Sequence, residues 1–163
     1  MHITQRDGQQ SLDTFQVWYD GSEELLPGYN VCYDMTASLT EGSDGWNEKV
    51  RGRVVAKPAT ANLRWYAGVV VDPPRKNGDA SGTYKGWCTI AKPRSGTFIK
   101  ALTNANMTLP TDGSAYYLRV ANGNFALVAE ATATTVTLNT IAVAAEAHDS
   151  SSTAAVKLVM GMM

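Results

Sequence analysis

The chain has few of the residues that stabilise small disulfide-rich or metal-bound domains. It contains two cysteines, Cys32 and Cys88, and two histidines. No Cys-x-x-Cys pair exists, and His2 and His148 lie near opposite ends of the chain, so the spacing argues against a zinc site. We interpret the cysteines as reduced, buried thiols that pack as small apolar side chains. We therefore expect no metal and no cofactor.

Long apolar runs and an excess of one charge are also missing. The apolar runs are too short to span a bilayer, and the N-terminal stretch MHITQRDGQQ lacks the apolar core of a secretory signal. We therefore expect synthesis and residence in a cytosol. The 14 basic and 15 acidic residues leave a net charge of −1. That balance argues against nucleic acid or an anionic membrane as the partner.

The sequence also lacks a recognisable catalytic pattern. His148 lies in HDSSS, where its acidic and serine neighbours are adjacent in sequence. A Ser–His–Asp relay needs side chains that converge from separated backbone positions, so we interpret HDSSS as a surface loop and predict no catalytic residues. A hydrolase with a carboxylate pair stays open as a rival, because such pairs have no sequence signature. Its candidates are the acidic residues beside predicted strands: Asp20, Asp34, Glu48 and Glu130.

What the sequence does have is alternation of apolar and polar residues in many short runs. Period-two alternation is typical of half-buried β-strands, and clusters such as EGSDG, NGDASG and ANGN are typical of turns. We predict an all-β protein with a single β-sandwich or barrel-like domain of about nine or ten short strands. This domain is assigned to residues 15–163, and residues 1–14 are predicted to form a flexible N-terminal arm.

Several local features refine this prediction. Asn122-Gly123 between two alternating runs predicts a tight hairpin, because these residues tolerate positive φ. The apolar face changes parity near Thr140, which predicts a bulge or turn there, with at most one helical turn in 142–147. The following residues are predicted to face the core: Leu63, Trp65, Ala67, Val69 and Val71 in one strand, and Val156, Leu158 and Met160 in the last.

Residues 72–83 predict a long hairpin tip. Pro73 and Pro74 have no backbone N–H and should end the strand ladder, and the Gly, Asn, Asp and Ser that follow are turn residues. The tip matches no phosphate-binding loop motif. We assign Pro73, Pro74, Arg75 and Lys76 to contacts with other subunits, with a plain solvated loop as the alternative.

Two surface patterns suggest binding. Four basic residues share one strand parity and predict a basic stripe that would suit an acidic partner surface, with an ordinary solvated face as the alternative. Trp18 and Trp87 fall on the parity opposite to the apolar series. Exposed Trp side chains mark contact surfaces or sugar-binding platforms. The basic stripe consists of Lys49, Arg51, Arg53 and Lys57.

Four passages from about residue 50 onward suggest a family: AGVVV, GWCTIAKPRSGTFIKALTNANMT, YYLRVANGNFALVAE and the closing IAVAAEAHDSSSTAAVKLVMGM. In these passages the chain resembles the small capsid decoration, or head-stabilising, proteins of tailed bacteriophages. The Pro-rich tip at 73–82 and the N-terminal third depart from the family's pattern.

The resemblance implies a non-enzymatic virion structural protein, made in the host cytoplasm, that sits on the outer surface of the capsid. Proteins of this family commonly form trimers and bridge neighbouring subunits of the major capsid protein. We expect such a homotrimer to contact the capsid through the arm and the basic stripe, with Ile3, Leu12 and Phe15 as the apolar residues of the arm contact. The alternative is a carbohydrate- or receptor-binding β-sandwich module of a virion, contacting its ligand through Trp18 or Trp87.

Overall fold

A computed structural model describes residues 13–19, 21–35, 53–74, 84–104, 116–130, 137, 139–147 and 154–162. Ten β-strands and no helix lie in these residues. The all-β class and the expected number of strands are therefore confirmed. In chain order the strands are β1 (Thr14–Tyr19), β2 (Asn30–Tyr33), β3 (Val54–Ala56), β4 (Tyr66–Asp72), β5 (Gly86–Ala91), β6 (Phe98–Thr103), β7 (Tyr117–Ala121), β8 (Asn124–Ala129), β9 (Thr140–Ala144) and β10 (Ala155–Gly161).

The strands form two closed five-stranded rings. The first ring has the order β1-β3-β2-β4-β5 and is called the N-terminal barrel; the second has the order β10-β6-β8-β7-β9 and is called the C-terminal barrel. In each ring the strand that comes last in the chain pairs with the strand that comes first in the chain: β5 pairs with β1, and β10 pairs with β6. The chain thus finishes one barrel before it begins the next.

The two barrels repeat one topology. Started at β6, the second ring runs β6-β8-β7-β9-β10, which is the order of the first ring with each strand number raised by five. The first and third strands of each barrel pair in parallel, and the other neighbours pair antiparallel. A register shift interrupts the pairing of the second and fourth strands in both barrels. The structure is therefore a tandem repeat, which the sequence did not indicate.

Alternation predicts Phe15, Val17 and Tyr19 of β1 on one face and Cys88 and Ile90 of β5 on one face, and this is confirmed except at Phe15, which is exposed. Val17 and Tyr19 on β1, and Cys88 and Ile90 on β5, are buried in one cluster, while Trp87 is exposed. β1 and β5 pair antiparallel along their whole length, which places Val17 opposite Cys88. Directly opposed residues face the same side of a sheet, so the apolar positions of both strands face the interior together.

The alternation predicted along β4 is wrong at Val71 and at Trp65, the residue that precedes the strand, because both are exposed. Register shifts interrupt the pairing of β4 with both of its neighbours. Against β2 the extra residue is Ala67, and against β5 it is Val71. Between these two shifts β4 runs close to β5, since a Cβ at Gly68, whose φ is +156°, would lie 2.6 Å from the carbonyl oxygen of Ala91.

The predicted facing of β10 is also wrong. Val159 is fully buried in the C-terminal barrel, whereas Val156 is exposed. Val159 pairs with Ile99 of β6, which is itself buried, and directly opposed residues face the same side of a sheet. Because both parities of β10 carry apolar side chains, the partner strand decides which one faces inward.

One predicted turn and one predicted bulge are confirmed in the C-terminal barrel. Asn122 and Gly123 form the turn between β7 and β8, with Gly123 at φ +70° and Ala121 paired with Asn124. The predicted bulge appears at β9, where Leu118 pairs with Ala142 but Arg119 pairs with Thr140. No helical turn forms within residues 139–147.

The barrels share a buried seam centred on Asn30. Its Nδ2 donates to the carbonyl oxygens of Leu102, at 3.1 Å, and Phe125, at 2.8 Å, while its Oδ1 accepts from the hydroxyl of Tyr66 at 3.1 Å. Leu102 and Phe125 lie on β6 and β8, whose direct pairing is recorded only between Thr103 and Leu127. The amide of Asn30 therefore bridges the two parallel strands near their point of contact.

Apolar packing continues across the same seam. Cys32, Tyr66 and Val69 of the N-terminal barrel join the core cluster of the C-terminal barrel. In the other direction, Phe125 packs in the N-terminal cluster, where its ring stacks on Tyr29 with centroids 4.9 Å apart. The two barrels thus share their interior side chains and do not meet through exposed faces.

Candidate interaction surfaces

An apolar groove of about 420 Å³ opens where the two barrels meet. We call it the seam groove. Its N-terminal wall comes from the end of β4 and the loop before β2, and its C-terminal wall comes from the starts of β6 and β10. The lining residues are Pro27, Gly28, Val69, Val70, Val71, Phe98, Ile99, Lys100, Val156 and Leu158.

Three large side chains of the seam groove remain exposed. Val71, Phe98 and Val156 are between 44% and 46% exposed, although each belongs to a strand. Val71 reaches the surface at the register shift between Val70 and Asp72, and Val156 does so because Val159 takes the inward parity. Exposed apolar side chains grouped on one surface are typical of contact sites. The sequence pattern predicted that Val71 and Val156 face the core, and it did not single out Phe98.

The polar groups at this groove are few and lie at one side. Lys100 lines the groove and is exposed. Nearby on β10, Lys157 pairs with Glu146 at 3.0 Å, and the backbone N–H of Leu158 donates to the same carboxylate at 3.1 Å. These two donors lower the pKa of Glu146. The groove is therefore apolar with a cationic margin at Lys100.

A second surface is formed by Trp18 and Trp87 on the outside of the N-terminal barrel. We call this pair the aromatic corner. The two residues are directly opposed on β1 and β5, with ring centroids 5.7 Å apart and planes inclined at 84°. Trp87 is 42% exposed, and Trp18 is half-buried. The Nε1–H of Trp18 has no hydrogen-bond acceptor among the described residues. The predicted outward facing is confirmed for Trp87, whereas Trp18 lies on the same side of the sheet but is half-buried with its indole nitrogen buried.

Polar side chains continue the aromatic corner along the same strands. Gln16 of β1 is opposed to Thr89 of β5, and Thr89 is opposed in turn to Asp72 of β4. Gln16 and Asp72 are exposed. Side chains two residues apart on a strand face the same side, so an amide, a hydroxyl and a carboxylate share the outer face with the Trp pair.

The basic stripe is described in part. Lys49 and Arg51 lie outside the described residues, while Arg53 and Lys57 flank β3. Lys57 donates to both oxygens of Glu23 at 2.9 Å and lies 5.1 Å from the ring centroid of Phe125. Its charge is already paired within the molecule. Arg53 is exposed, and its predicted contact with a partner stays a prediction.

The predicted arm and tip fall mostly outside the described residues. Ile3 and Leu12 of the arm, and Arg75 and Lys76 of the tip, lie there. Phe15 is on β1 and exposed, opposite Ile90. The chain is tied down just before it, because the backbone N–H of Lys92 donates to the carbonyl of Asp13, whose side chain pairs with Arg94.

The start of the tip agrees with the prediction. The recorded pairing of β4 with β5 ends at Asp72, the residue before Pro73. Pro73 and Pro74 are half-buried, and Pro74 approaches Gly86 at the start of β5. The prolines therefore end the ladder where their missing N–H groups require it.

Of the two acidic candidates that the structure describes, Glu130 is buried and Asp34 is not. It accepts hydrogen bonds from the hydroxyls of Thr137, at 2.7 Å, and Thr140, at 2.6 Å, and its second oxygen lies 3.4 Å from Nε of Arg119. These partners join the end of β8 to β7 and the start of β9. Asp34 is half-buried beside β2, while Asp20 and Glu48 lie outside the described residues.

Both cysteines are buried and free, on β2 and β5. Burial raises the pKa of the Cys32 thiol and of the Cys88 thiol to about 12. The thiols are thus protonated at neutral pH, as expected for side chains that serve packing. Within the described part of the chain, no three His, Cys, Asp or Glu side chains come together as a metal site.

No protein-family model matches the chain, and no curated protein matches it significantly. Among the described residues, no helix has the length and apolar character needed to cross a membrane. The function of the chain is therefore inferred from the two surfaces described above, the seam groove and the aromatic corner.

Proposed function

We propose that this chain is a non-enzymatic structural protein of a tailed-bacteriophage virion that binds the outside of the capsid. In this role it stabilises the shell as a homotrimer that bridges subunits of the major capsid protein. The observation that carries the proposal is the seam groove, which exposes Val71, Phe98 and Val156 side by side on two barrels. The sequence resemblance to capsid decoration proteins supplies the partner.

The shared interior of the barrels supports a clamping role. A protein that bridges two neighbours must keep its own shape under load. Asn30 and the ring of Phe125 join the barrels through buried hydrogen bonds and packing. A contact across the seam groove would therefore not be weakened by movement of one barrel against the other.

The size of the exposed apolar surface suits a repeated contact. Completing the burial of a partly exposed Val or Phe side chain contributes roughly 1 kcal/mol. Three such side chains give a weak single contact after the cost of association is subtracted. On a shell, each trimer would present the groove more than once, so multivalency would make occupancy nearly complete.

The test uses heads of the encoding phage produced after deletion of this coding sequence. Purified protein is added to the expanded heads, and bound protein is measured by co-sedimentation. We expect saturable binding and greater resistance of decorated heads to heat. The variant Val156→Asp should bind at least tenfold more weakly, because a carboxylate would be buried against apolar surface.

The matched control is Trp65→Asp, which introduces the same charge at an exposed aromatic residue that precedes β4 and does not line the seam groove. It should bind heads like the unchanged protein. Size measurement by light scattering supplies the oligomeric state. Absence of binding to the heads, or equal binding by the Val156→Asp variant, would overturn the proposal.

A further inference from the structure

The aromatic corner and the seam groove differ in chemistry, which indicates different ligands. The seam groove exposes aliphatic side chains and one ring, with Lys100 at its margin. The aromatic corner pairs two indoles with an amide, a hydroxyl and a carboxylate on adjacent strands. An aliphatic groove suits an apolar protein surface, whereas indoles beside hydrogen-bonding groups suit a ligand that is apolar on one face and polar around its rim.

We infer that the aromatic corner is a carbohydrate-binding site, in which one sugar ring stacks on Trp87 and its hydroxyls bond to Gln16, Thr89 and Asp72. A pyranose has a face of C–H groups and a rim of hydroxyls, so it satisfies both parts of this surface at once. Indole rings carry a negative face that attracts such polarised C–H groups. Trp18, Trp87, Gln16 and Thr89 do not line the seam groove, although Asp72 directly follows its residue Val71. The inference does not depend on the capsid role.

The inclination of the two rings leaves room for a ligand. At 84° the contact between Trp18 and Trp87 is edge-to-face, so it covers at most one face of either ring. Trp87 keeps 42% of its surface exposed, while Trp18 is half-buried and braces it from β1. Trp87 is therefore the stacking ring, and Trp18 is the residue that positions it.

The strands hold these side chains in a fixed arrangement. β1 and β5 pair over six consecutive positions, from Thr14 opposite Ala91 to Tyr19 opposite Gly86. Gln16 and Thr89 are the opposed pair two positions from Trp18 and Trp87, a separation of about 7 Å along the strands. Binding would then require little ordering of the protein, which lowers its entropic cost.

The carboxylate of Asp72 defines the sugar class further. An ionised carboxylate accepts hydrogen bonds at both of its oxygens and donates none. It therefore selects neutral sugars with vicinal hydroxyls and repels uronic and sialic acids. The backbone N–H of Trp18 donates to the backbone carbonyl of Arg53, the exposed residue before β3.

The experiment is affinity electrophoresis of the full chain in gels that contain one polysaccharide each. The panel consists of a glucan, a mannan, a galactan, a soluble chitosaccharide, a bacterial O-antigen of neutral sugars, and polygalacturonate. We expect retardation by at least one neutral polysaccharide and none by polygalacturonate. Quenching of Trp fluorescence by the matching oligosaccharide would give the affinity.

Three variants make the test specific. Trp87→Ala should reduce affinity at least tenfold, and Asp72→Ala should reduce it severalfold. Trp65→Ala is the matched control, because Trp65 is 50% exposed on the same barrel but lies away from the corner. It should bind sugar normally. Near-ultraviolet circular dichroism should show that all three variants are folded.

The inference would be overturned if no neutral polysaccharide retards the protein, or if Trp87→Ala and the unchanged protein are retarded alike. Loss of head binding by Trp87→Ala without any sugar binding would assign the corner to a protein partner and would equally overturn it. Failure of the head-binding test alone would leave sugar binding measurable, so the two proposals fail separately.

Discussion

The side-chain amide of Asn30 donates a 2.8 Å hydrogen bond to the carbonyl oxygen of Phe125, across the boundary between two barrels. The same amide nitrogen reaches the carbonyl of Leu102, and the Asn30 side-chain oxygen accepts from Tyr66. All the polar atoms of this side chain are thus used, with no solvent contact. One residue of β2 therefore completes the bonding of strands that belong to the other barrel.

Replacement of Asn30 by Ala should destabilise the protein strongly. The change leaves two carbonyls and a hydroxyl buried without partners, and the expected cost is about 3 kcal/mol. Urea unfolding followed by Trp fluorescence measures it. Asn104→Ala removes an amide from an exposed position at the end of β6 and should cost under about 0.5 kcal/mol. Equal costs at the two positions would contradict the role given to Asn30.

Gly68→Ala should also be destabilising, by about 2 to 3 kcal/mol, because the new Cβ would collide with the backbone of Ala91 at an unfavourable φ. The control is Gly123→Ala, where φ is positive but no atom lies within 4 Å of the added Cβ. That change should cost about 1 kcal/mol from backbone strain alone. Thermal unfolding of both variants would separate the steric cost of the added Cβ from the cost of its backbone conformation. A loss of stability at Gly68 no larger than the loss at Gly123 would contradict the close approach of β4 and β5.

Glu130→Ala should cost about 2 to 3 kcal/mol, since it removes the acceptor shared by Thr137 and Thr140 and leaves Arg119 without its carboxylate. Glu23→Ala breaks the exposed ion pair with Lys57 and should cost under about 1 kcal/mol. Denaturant midpoints measured side by side test the contrast. A Glu130→Ala protein as stable as the Glu23→Ala protein would show that the buried network contributes little.

Stability should fall in alkali. Burial raises the pKa of Cys32, Cys88 and Tyr19 to about 12 from ordinary values of 9.0 for the thiols and 10.0 for the phenol. Below pH 9 these groups are protonated in both states and do not affect the pH dependence. Above pH 9 the unfolded chain releases protons that the folded chain retains, so the free energy of unfolding decreases toward pH 12.

Substitution of the cysteines shows how much of the fall in the free energy of unfolding with pH comes from their thiols. Each group that titrates only in the unfolded state lowers stability by about 1.4 kcal/mol per pH unit. Urea unfolding between pH 8 and pH 11 should therefore give a shallower slope for the Cys32→Ala, Cys88→Ala double variant, whatever its stability at pH 8. An unchanged slope would mean that the thiols titrate alike in both states.

Local pattern was sufficient for parts of this fold. The hairpin at Asn122 and Gly123 and the bulge near Thr140 depend on neighbouring residues and were predicted correctly. The alternation in β1 and β5 was also predicted correctly except at Phe15, which is exposed at the start of β1. The facing of β10 was not, because Val156 and Val159 are equally apolar and only the pairing with β6 distinguishes them. Non-local pairing leaves no trace in the alternation of a single strand.

In the candidate surfaces, too, some features follow from local sequence and others from the pairing of distant strands. The outward facing of Trp18 and Trp87 follows from parity within their own strands and was predicted. The seam groove requires knowledge of how β4, β6 and β10 come together. The buried position of Asn30 likewise depends on the second barrel beside β2, which the local sequence does not show. Position relative to distant strands, not residue type, decides these roles.

The bridging of β6 and β8 by Asn30 limits how this repeat can be divided. Cutting the chain within residues 92–97 would leave each half with every strand of its ring, yet the C-terminal half would carry the carbonyls of Leu102 and Phe125 without their donor. Neither fragment should then be stable by itself, and the two mixed together should recover the parent structure. A tandem chain of this kind resembles a heterodimer whose subunits happen to be joined by a peptide link.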